Sequence, residues 1–103
     1  MVGDTFYVSG NLGLGPDQTI PDTPQEEARN VLTNVQDTLT AAGLTMDDLV
    51  MVQVYSSDVA DYEAFNEVYR TFFTREFPAR AYLGSGTLLY GARFEVLGVA
   101  VKR

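Results

Sequence analysis

The sequence predicts an α+β domain, with elements in the order β-α-β-α-β-β and two helices packed on one face of the sheet. Three observations lead there. Two segments repeat apolar residues every three to four positions between capping and stop signals. Other short runs are rich in β-branched and aromatic residues and are bounded by glycine, proline or polar clusters. The β-α-β alternation of the first five elements favours helices on a shared face. A length of 103 residues makes this one domain, residues 1–103.

Thr5-Phe6-Tyr7-Val8-Ser9 is the first strand, ending at Gly10. Residues 11–22 hold Gly13, Gly15, Pro16 and Pro21 and read as a loop. Thr23 then caps a helix, Pro24 fits its first position and Glu26 completes a capping box. Ala28, Val31, Leu32, Val35, Leu39 and Ala42 form its buried stripe, and Gly43 stops it. Thr45-Met46-Asp47-Asp48 is a short capped turn. Its two carboxylates suit the positive end of a helical turn better than a metal site.

Leu49 to Ser56 alternates Val50, Val52 and Val54 against Met51, Gln53 and Tyr55, the period of a strand. A second helix runs from about Ala60 to Thr74, with Tyr62, Phe65, Val68, Tyr69, Phe72 and Phe73 at helical spacing, and Phe77-Pro78 ends it. Ala79 to Gly86 is a strand, Thr87 to Gly91 a turn, and Ala92 to Val101 the last strand. The loop between these two strands is short enough for a hairpin. On the last strand, Phe94, Val96, Gly98 and Ala100 share one face, and Glu95, Leu97, Val99 and Val101 the other. Both faces are largely apolar, yet two helices cover only one. The second face therefore calls for another copy of the chain.

Composition excludes several chemistries. The chain has no cysteine and no histidine, which removes disulfides, thiolate zinc sites, cysteine nucleophiles and serine–histidine triads. Seven basic residues against fourteen acidic ones give a net charge of -7. The basic residues Arg29, Arg70, Arg75, Arg80, Arg93, Lys102 and Arg103 are scattered, whereas nucleic-acid binders need a basic stripe. Residues 10–15, Gly-Asn-Leu-Gly-Leu-Gly, lack the lysine and helix start of a phosphate loop. No apolar run reaches membrane-spanning length and no leader is legible, so the expectation is a cytoplasmic protein.

What remains for chemistry is carboxylates, guanidiniums, hydroxyls and water. Arg80 offers a planar fork for a carboxylate. Glu95 is a carboxylate inside an apolar strand. In a hairpin turning around Leu88-Leu89 the two fall on one face in diagonal register, about 7–8 Å apart. That geometry suits either a small pocket or a structural ion pair. Gly10 permits close backbone approach, and Ser9 offers a hydroxyl or simply ends its strand. Asn66 is a poor mid-helix residue, which favours a hydrogen-bonding duty. Tyr62, Tyr69, Phe72 and Phe73 read as core.

Tyr7-Val8-Ser9-Gly10, Ala41-Ala42-Gly43-Leu44, the run Asp61 to Tyr69, Phe77-Pro78-Ala79-Arg80, and Phe94-Glu95-Val96 before Val99-Ala100-Val101 recur in this order in one family. Over nearly its whole length the chain resembles the RidA (YjgF) family of imine deaminases, also labelled L-PSP endoribonucleases. The resemblance implies a chorismate-mutase-like fold, a homotrimer with sites in clefts between subunits, and hydrolysis of small 2-imino acids to 2-keto acids and ammonia without a cofactor. It implies that Arg80 binds the substrate carboxylate, that Glu95 lies by the catalytic water, and that Asn66 lies near the site, with Ser9 and Gly10 as further candidates for binding substrate. The chain departs from the pattern in four places. It begins near the family's second strand, without the usual N-terminal strand and its site tyrosine. Tyr82 occupies a position often held by cysteine or a small residue, where its ring either shrinks the expected substrate pocket or replaces the missing tyrosine. Leu97 replaces a second glutamate, and residues 84–91 lack the usual Leu-Pro-Lys/Arg-Gly form. The departures keep open a non-catalytic carboxylate-binding or regulatory protein. Acidity disfavours an endoribonuclease.

Overall fold

The computed structural model describes residues 1–103. The six main elements are β1 (Thr5–Leu12), α1 (Pro24–Ala41), β2 (Leu49–Ser56), α2 (Tyr62–Tyr69), β3 (Ala79–Gly84) and β4 (Phe94–Val101), joined in part by single 3-10 turns. The expected α+β class and element order hold. One mixed sheet runs β1-β4-β2-β3, and both helices lie on one of its faces.

Local signals produced the helices. The Thr23 hydroxyl accepts a hydrogen bond from the Glu26 N–H at 3.1 Å, and Pro24 opens α1. Of the expected capping box, this is the half that forms. At the other end Gly43 adopts φ +80°, and the N–H groups of Gly43 and Leu44 donate to the carbonyls of Thr40 and Leu39. Only glycine takes that left-handed turn without strain, and the paired bonds satisfy the last helical carbonyls. The second helix is shorter than its apolar pattern: α2 ends at Tyr69 and continues as the 3-10 turn Arg70–Phe72.

The last two strands form no hairpin. β3 pairs with β2 in parallel, Arg80 opposite Val52 and Tyr82 opposite Val54. β4 is inserted antiparallel between β1 and β2, with Gly98 opposite both Val8 and Val52. The physical reason lies in β4 itself. A strand with two apolar faces loses least in the middle of a sheet, where neighbours flank both edges. The 85–93 segment needs only to step past one strand, about 10 Å at the usual spacing, so its shortness did not require adjacency.

The faces of β4 divide as its sequence predicts. Phe94, Val96 and Ala100 are buried under the helices with Val31, Leu32, Val35, Leu39 and Phe65, and the Phe65 and Phe94 rings meet at 4.8 Å. On the far side Tyr7 is 65%, Leu83 43% and Met51 37% exposed, beside half-buried Leu97, Val99 and Val101. No element of this chain covers that face.

One buried charge was not anticipated. Glu27, in the first turn of α1, is 0% exposed. Its carboxylate accepts from the Arg93 N–H at 2.7 Å, the Phe94 N–H at 3.3 Å and Arg93 Nη1 at 2.9 Å, and Nη1 also donates to the Pro21 carbonyl at 2.8 Å. Removing it strands two backbone donors and a guanidinium. Glu27→Ala is expected to lower urea-unfolding stability by about 3 kcal/mol. Arg103→Ala, which breaks the exposed 3.8 Å contact with Asp48, should cost less than about 1 kcal/mol. Equal losses would show that burial does not distinguish the pairs.

Candidate active site

The parallel pairing of β3 places Arg80 and Tyr82 on the helix side of an edge strand. There Arg80 meets α2. Its Nη1 donates to the Asn66 side-chain oxygen at 2.8 Å. The rings of Tyr69, Tyr82 and Tyr62 surround the guanidinium, their centroids 4.6, 5.5 and 5.7 Å from its carbon. Cation–π contact with partly dehydrated rings holds the plane of the fork. The ion pairs of the chain are Glu27–Arg93 and Asp48–Arg103, so Arg80 has no carboxylate partner. Beside it opens a cleft of about 380 Å³ lined by Asn66, Tyr69, Arg70, Phe77, Pro78 and Arg80.

Two phenol groups in this cluster are buried. The hydroxyl of Tyr69 makes no hydrogen bond, and that of Tyr82 lies beside the Ser56 side chain. Burial pushes Tyr69 up to about 12, against the pull of Arg80, and burial also raises Tyr82. Both stay neutral, hydrogen-donating groups at ordinary pH. Tyr82 also serves the core: its ring stands edge-on to Tyr62 at 4.9 Å and to Phe65 at 5.7 Å.

Glu95 lies elsewhere. It sits on the uncovered face of β4, half-exposed, opposite Leu12 of β1 and Tyr55 of β2. Its carboxylate occupies the space above Gly10, where a Cβ would stand 2.1 Å from Oε2. A side chain at position 10 would push the Glu95 carboxylate aside, at the irregularity in β1 between Val8 and Asn11. Ser9, beside it, is exposed.

The sequence-derived residues thus form two separate groups. Arg80, Tyr82 and Asn66 come together on one side; Ser9, Gly10 and Glu95 come together on the other. The expected diagonal Arg80–Glu95 pair does not exist within the chain. Two strand spacings and three residues of register put their Cα atoms roughly 14 Å apart, on opposite faces. Neither a single-chain pocket nor a structural bridge joins them. Glu95 is also less buried than its apolar neighbours suggested. The duty expected of Asn66 is met by its bond to Arg80.

Sequence reasoning missed Tyr62 and Tyr69 as walls around Arg80, and Arg70 as a lining residue. A signal was present. Tyr62, Asn66, Tyr69 and Arg70 follow at helical spacing, so polar groups share a stripe with aromatic ones. Asp47 supports the far wall: it accepts from the Thr74 N–H at 3.0 Å and from the Thr74 hydroxyl, just before Phe77-Pro78. That hydroxyl bond, with the N–H, holds the carboxyl below its ordinary range. Asp48 accepts from the Thr45 N–H at 2.8 Å, so both carboxylates serve the backbone. No cluster of metal-ligating side chains is present.

The family model described as Endoribonuclease L-PSP matches residues 1–102. The chain belongs to the RidA/YjgF/L-PSP family. It is 38% identical to the 2-iminobutanoate/2-iminopropanoate deaminase of Capra hircus, over 99% of this chain and 76% of that protein. The Homo sapiens protein of the same name is 35% identical with the same coverage. Among solved structures, E. coli TdcF with bound serine superposes with a TM-score of 0.93 at 30% identity, covering 100% of this chain and 84% of that one. RidA from a Psychrobacter species gives 0.92 at 29%, covering 99% and 84%. The RidA fold therefore accounts for the inserted β4 and the two-helix face seen here.

Tyr69 gives this RidA-family protein a distinct alkaline behaviour. Below pH 10 the phenol is protonated in both folded and unfolded chains and contributes nothing to pH dependence. Between pH 10 and 12 the unfolded chain loses its proton first, because the folded value is raised to about 12, so stability falls. The urea midpoint is expected to drop across that window, and to drop less in Tyr69→Phe. Parallel curves for the two proteins would remove Tyr69 as the cause.

Proposed function

We propose that this protein hydrolyses small 2-imino acids of the 2-iminopropanoate and 2-iminobutanoate type, or their enamine tautomers, to 2-keto acids and ammonia. One observation carries the reading. In a chain of net charge -7, Arg80 is held rigidly at a cleft with no carboxylate of its own. A guanidinium so placed gains a partner when a substrate carboxylate arrives. The deaminase relatives support the chemistry.

The reading places the substrate carboxylate on Arg80, which fixes the C=N carbon. A water molecule adds its oxygen to that carbon while the nitrogen takes up a proton. Glu95 holds the water and accepts its proton, and the carbonyl at position 82 is a further acceptor for it. Glu95 then returns its proton to the nitrogen of the adduct, the adduct's hydroxyl gives its proton to solvent as the carbonyl forms, and the C–N bond breaks to release ammonia. Positioning and one proton relay suffice, so no cofactor is invoked.

The separation of the two half-sites favours assembly. We assign the protein to a chorismate-mutase-like homotrimer, whose head-to-tail contacts join unlike surfaces. Arg80, Asn66 and Tyr82 of one subunit then face Ser9, Gly10 and Glu95 of the next, and the uncovered sheet face is buried. No helix is long and apolar enough to cross a membrane. The reading places the protein in the cytoplasm, where pyridoxal-phosphate enzymes release such imines.

Two measurements test this. Light scattering at micromolar concentration should give a trimer mass; a monomer would dismantle the shared site. Arg80→Lys keeps charge but loses the two-point grip, and should weaken carboxylate binding about tenfold to a hundredfold. Arg80→Ala should abolish imine hydrolysis, followed with imines generated in situ, with little change in melting temperature. Full activity in Arg80→Ala ends the assignment. Carboxylate binding without turnover in the parent protein would instead identify a binding module.

A further inference from the structure

The cleft beside Arg80 contains a second guanidinium that imine hydrolysis as described does not use. Arg70 Nε donates to the Asn66 backbone oxygen at 3.0 Å, while the Asn66 side-chain oxygen accepts from Arg80 at 2.8 Å. One asparagine thus holds both cations, one on each of its oxygens. Both line the same cleft of about 380 Å³, and no carboxylate lines it. Neither cation belongs to an ion pair of the chain.

Acidic residues outnumber basic ones fourteen to seven, so an unpaired arginine has many candidate partners on the surface. Two of the seven nevertheless converge on one acid-free concavity. Like charges held close repel, and the repulsion is relieved by an anion that reaches both. A single carboxylate fills the fork of Arg80, which is walled by rings. Arg70 is exposed and lies toward solvent, where it suits a second anionic group on the same molecule. Phe77 and Pro78 supply an apolar wall for the carbons between.

We propose that the preferred substrate is a 2-imino dicarboxylate, the imine of an acidic amino acid. Its α-carboxylate rests on Arg80 and its side-chain carboxylate on Arg70. Hydrolysis consumes water and yields a 2-oxo dicarboxylate and ammonia. The reaction that supplies such a substrate is oxidation or dehydrogenation of an acidic amino acid at its α-carbon. This proposal rests on the imine-hydrolase reading of the same site.

The test compares imines of aspartate and alanine, generated in situ by amino-acid oxidases, with semicarbazide competing for the imine. In the parent protein kcat/KM should be higher for the aspartate imine, and the advantage should shrink as salt is raised. Arg70→Ala should lower the ratio of the two kcat/KM values about tenfold, and Arg70→Lys should keep part of it. A parent ratio at or below one, or a ratio unchanged by Arg70→Ala, overturns the proposal. Calorimetric titration with succinate and butyrate separates it from the catalytic reading. If neither imine is hydrolysed, the enzyme assignment fails, yet tighter succinate binding that is lost in Arg70→Ala still upholds the two-carboxylate cleft. Equal binding of succinate and butyrate overturns it.

Discussion

The carboxylate of Glu27 is the constraint on which the rest of this fold hangs. Taking a charge fully out of water costs several kcal/mol unless its lone pairs are occupied, and here they are. The Arg93 guanidinium and the N–H groups of Arg93 and Phe94 all point at it. The effect is to clip the first turn of α1 and the entry of β4 to one point. Because β4 is paired on both sides, its entry point sets the register of most of the sheet. Phe94 is delivered beneath Phe65, and Glu95, one residue on, is delivered over Gly10. A slip of one residue would exchange the faces of β4 and put Glu95 among the helices. The buried pair is thus better understood as specifying register than as adding net stability.

The second organising feature is the arrangement around Arg80. Three tyrosine rings and one asparagine keep the guanidinium in place and partly dehydrated. In an acidic protein, which repels anions at long range, the proposed grip on a substrate carboxylate is then local. Tyr82 has two duties that pull together. Its ring touches Phe65 of the core and also walls Arg80. A smaller residue at this position leaves room beside the arginine, and in this chain the ring fills it. Site shape and core packing are therefore coupled at residue 82.

What was legible in the sequence followed the range of the forces involved. The cap at Thr23, the stop at Gly43, the span of β2 and the two faces of β4 are set by neighbours in the chain, and all were readable. The partner of β4 was not, because a short loop permits both adjacency and a step past one strand. That single error carried into the site: with β3 and β4 misplaced as neighbours, Arg80 and Glu95 were expected on one face. Glu27 was invisible for a related reason. Next to Glu26 it looks like another charge in a first helical turn, and only the distant arrival of Arg93 explains its burial. Asn66 was legible because asparagine is out of place in mid-helix, whereas Tyr62 and Tyr69 were hidden by fitting the core pattern as well as they fit the cleft.

The same topology bears on the proposed assembly. β1 and β3 are both edges of the sheet, and the face between them is uncovered. Edges and apolar faces invite association, and a closed ring satisfies them with unlike surfaces in contact. In the proposed trimer the arginine edge of one subunit meets the glutamate edge of the next. Substrate grip and water activation are then contributed by different copies. Neither copy alone holds a complete site, so stability of the assembly and catalysis become one property. A substitution that loosens the interface is then a catalytic lesion without touching either Arg80 or Glu95.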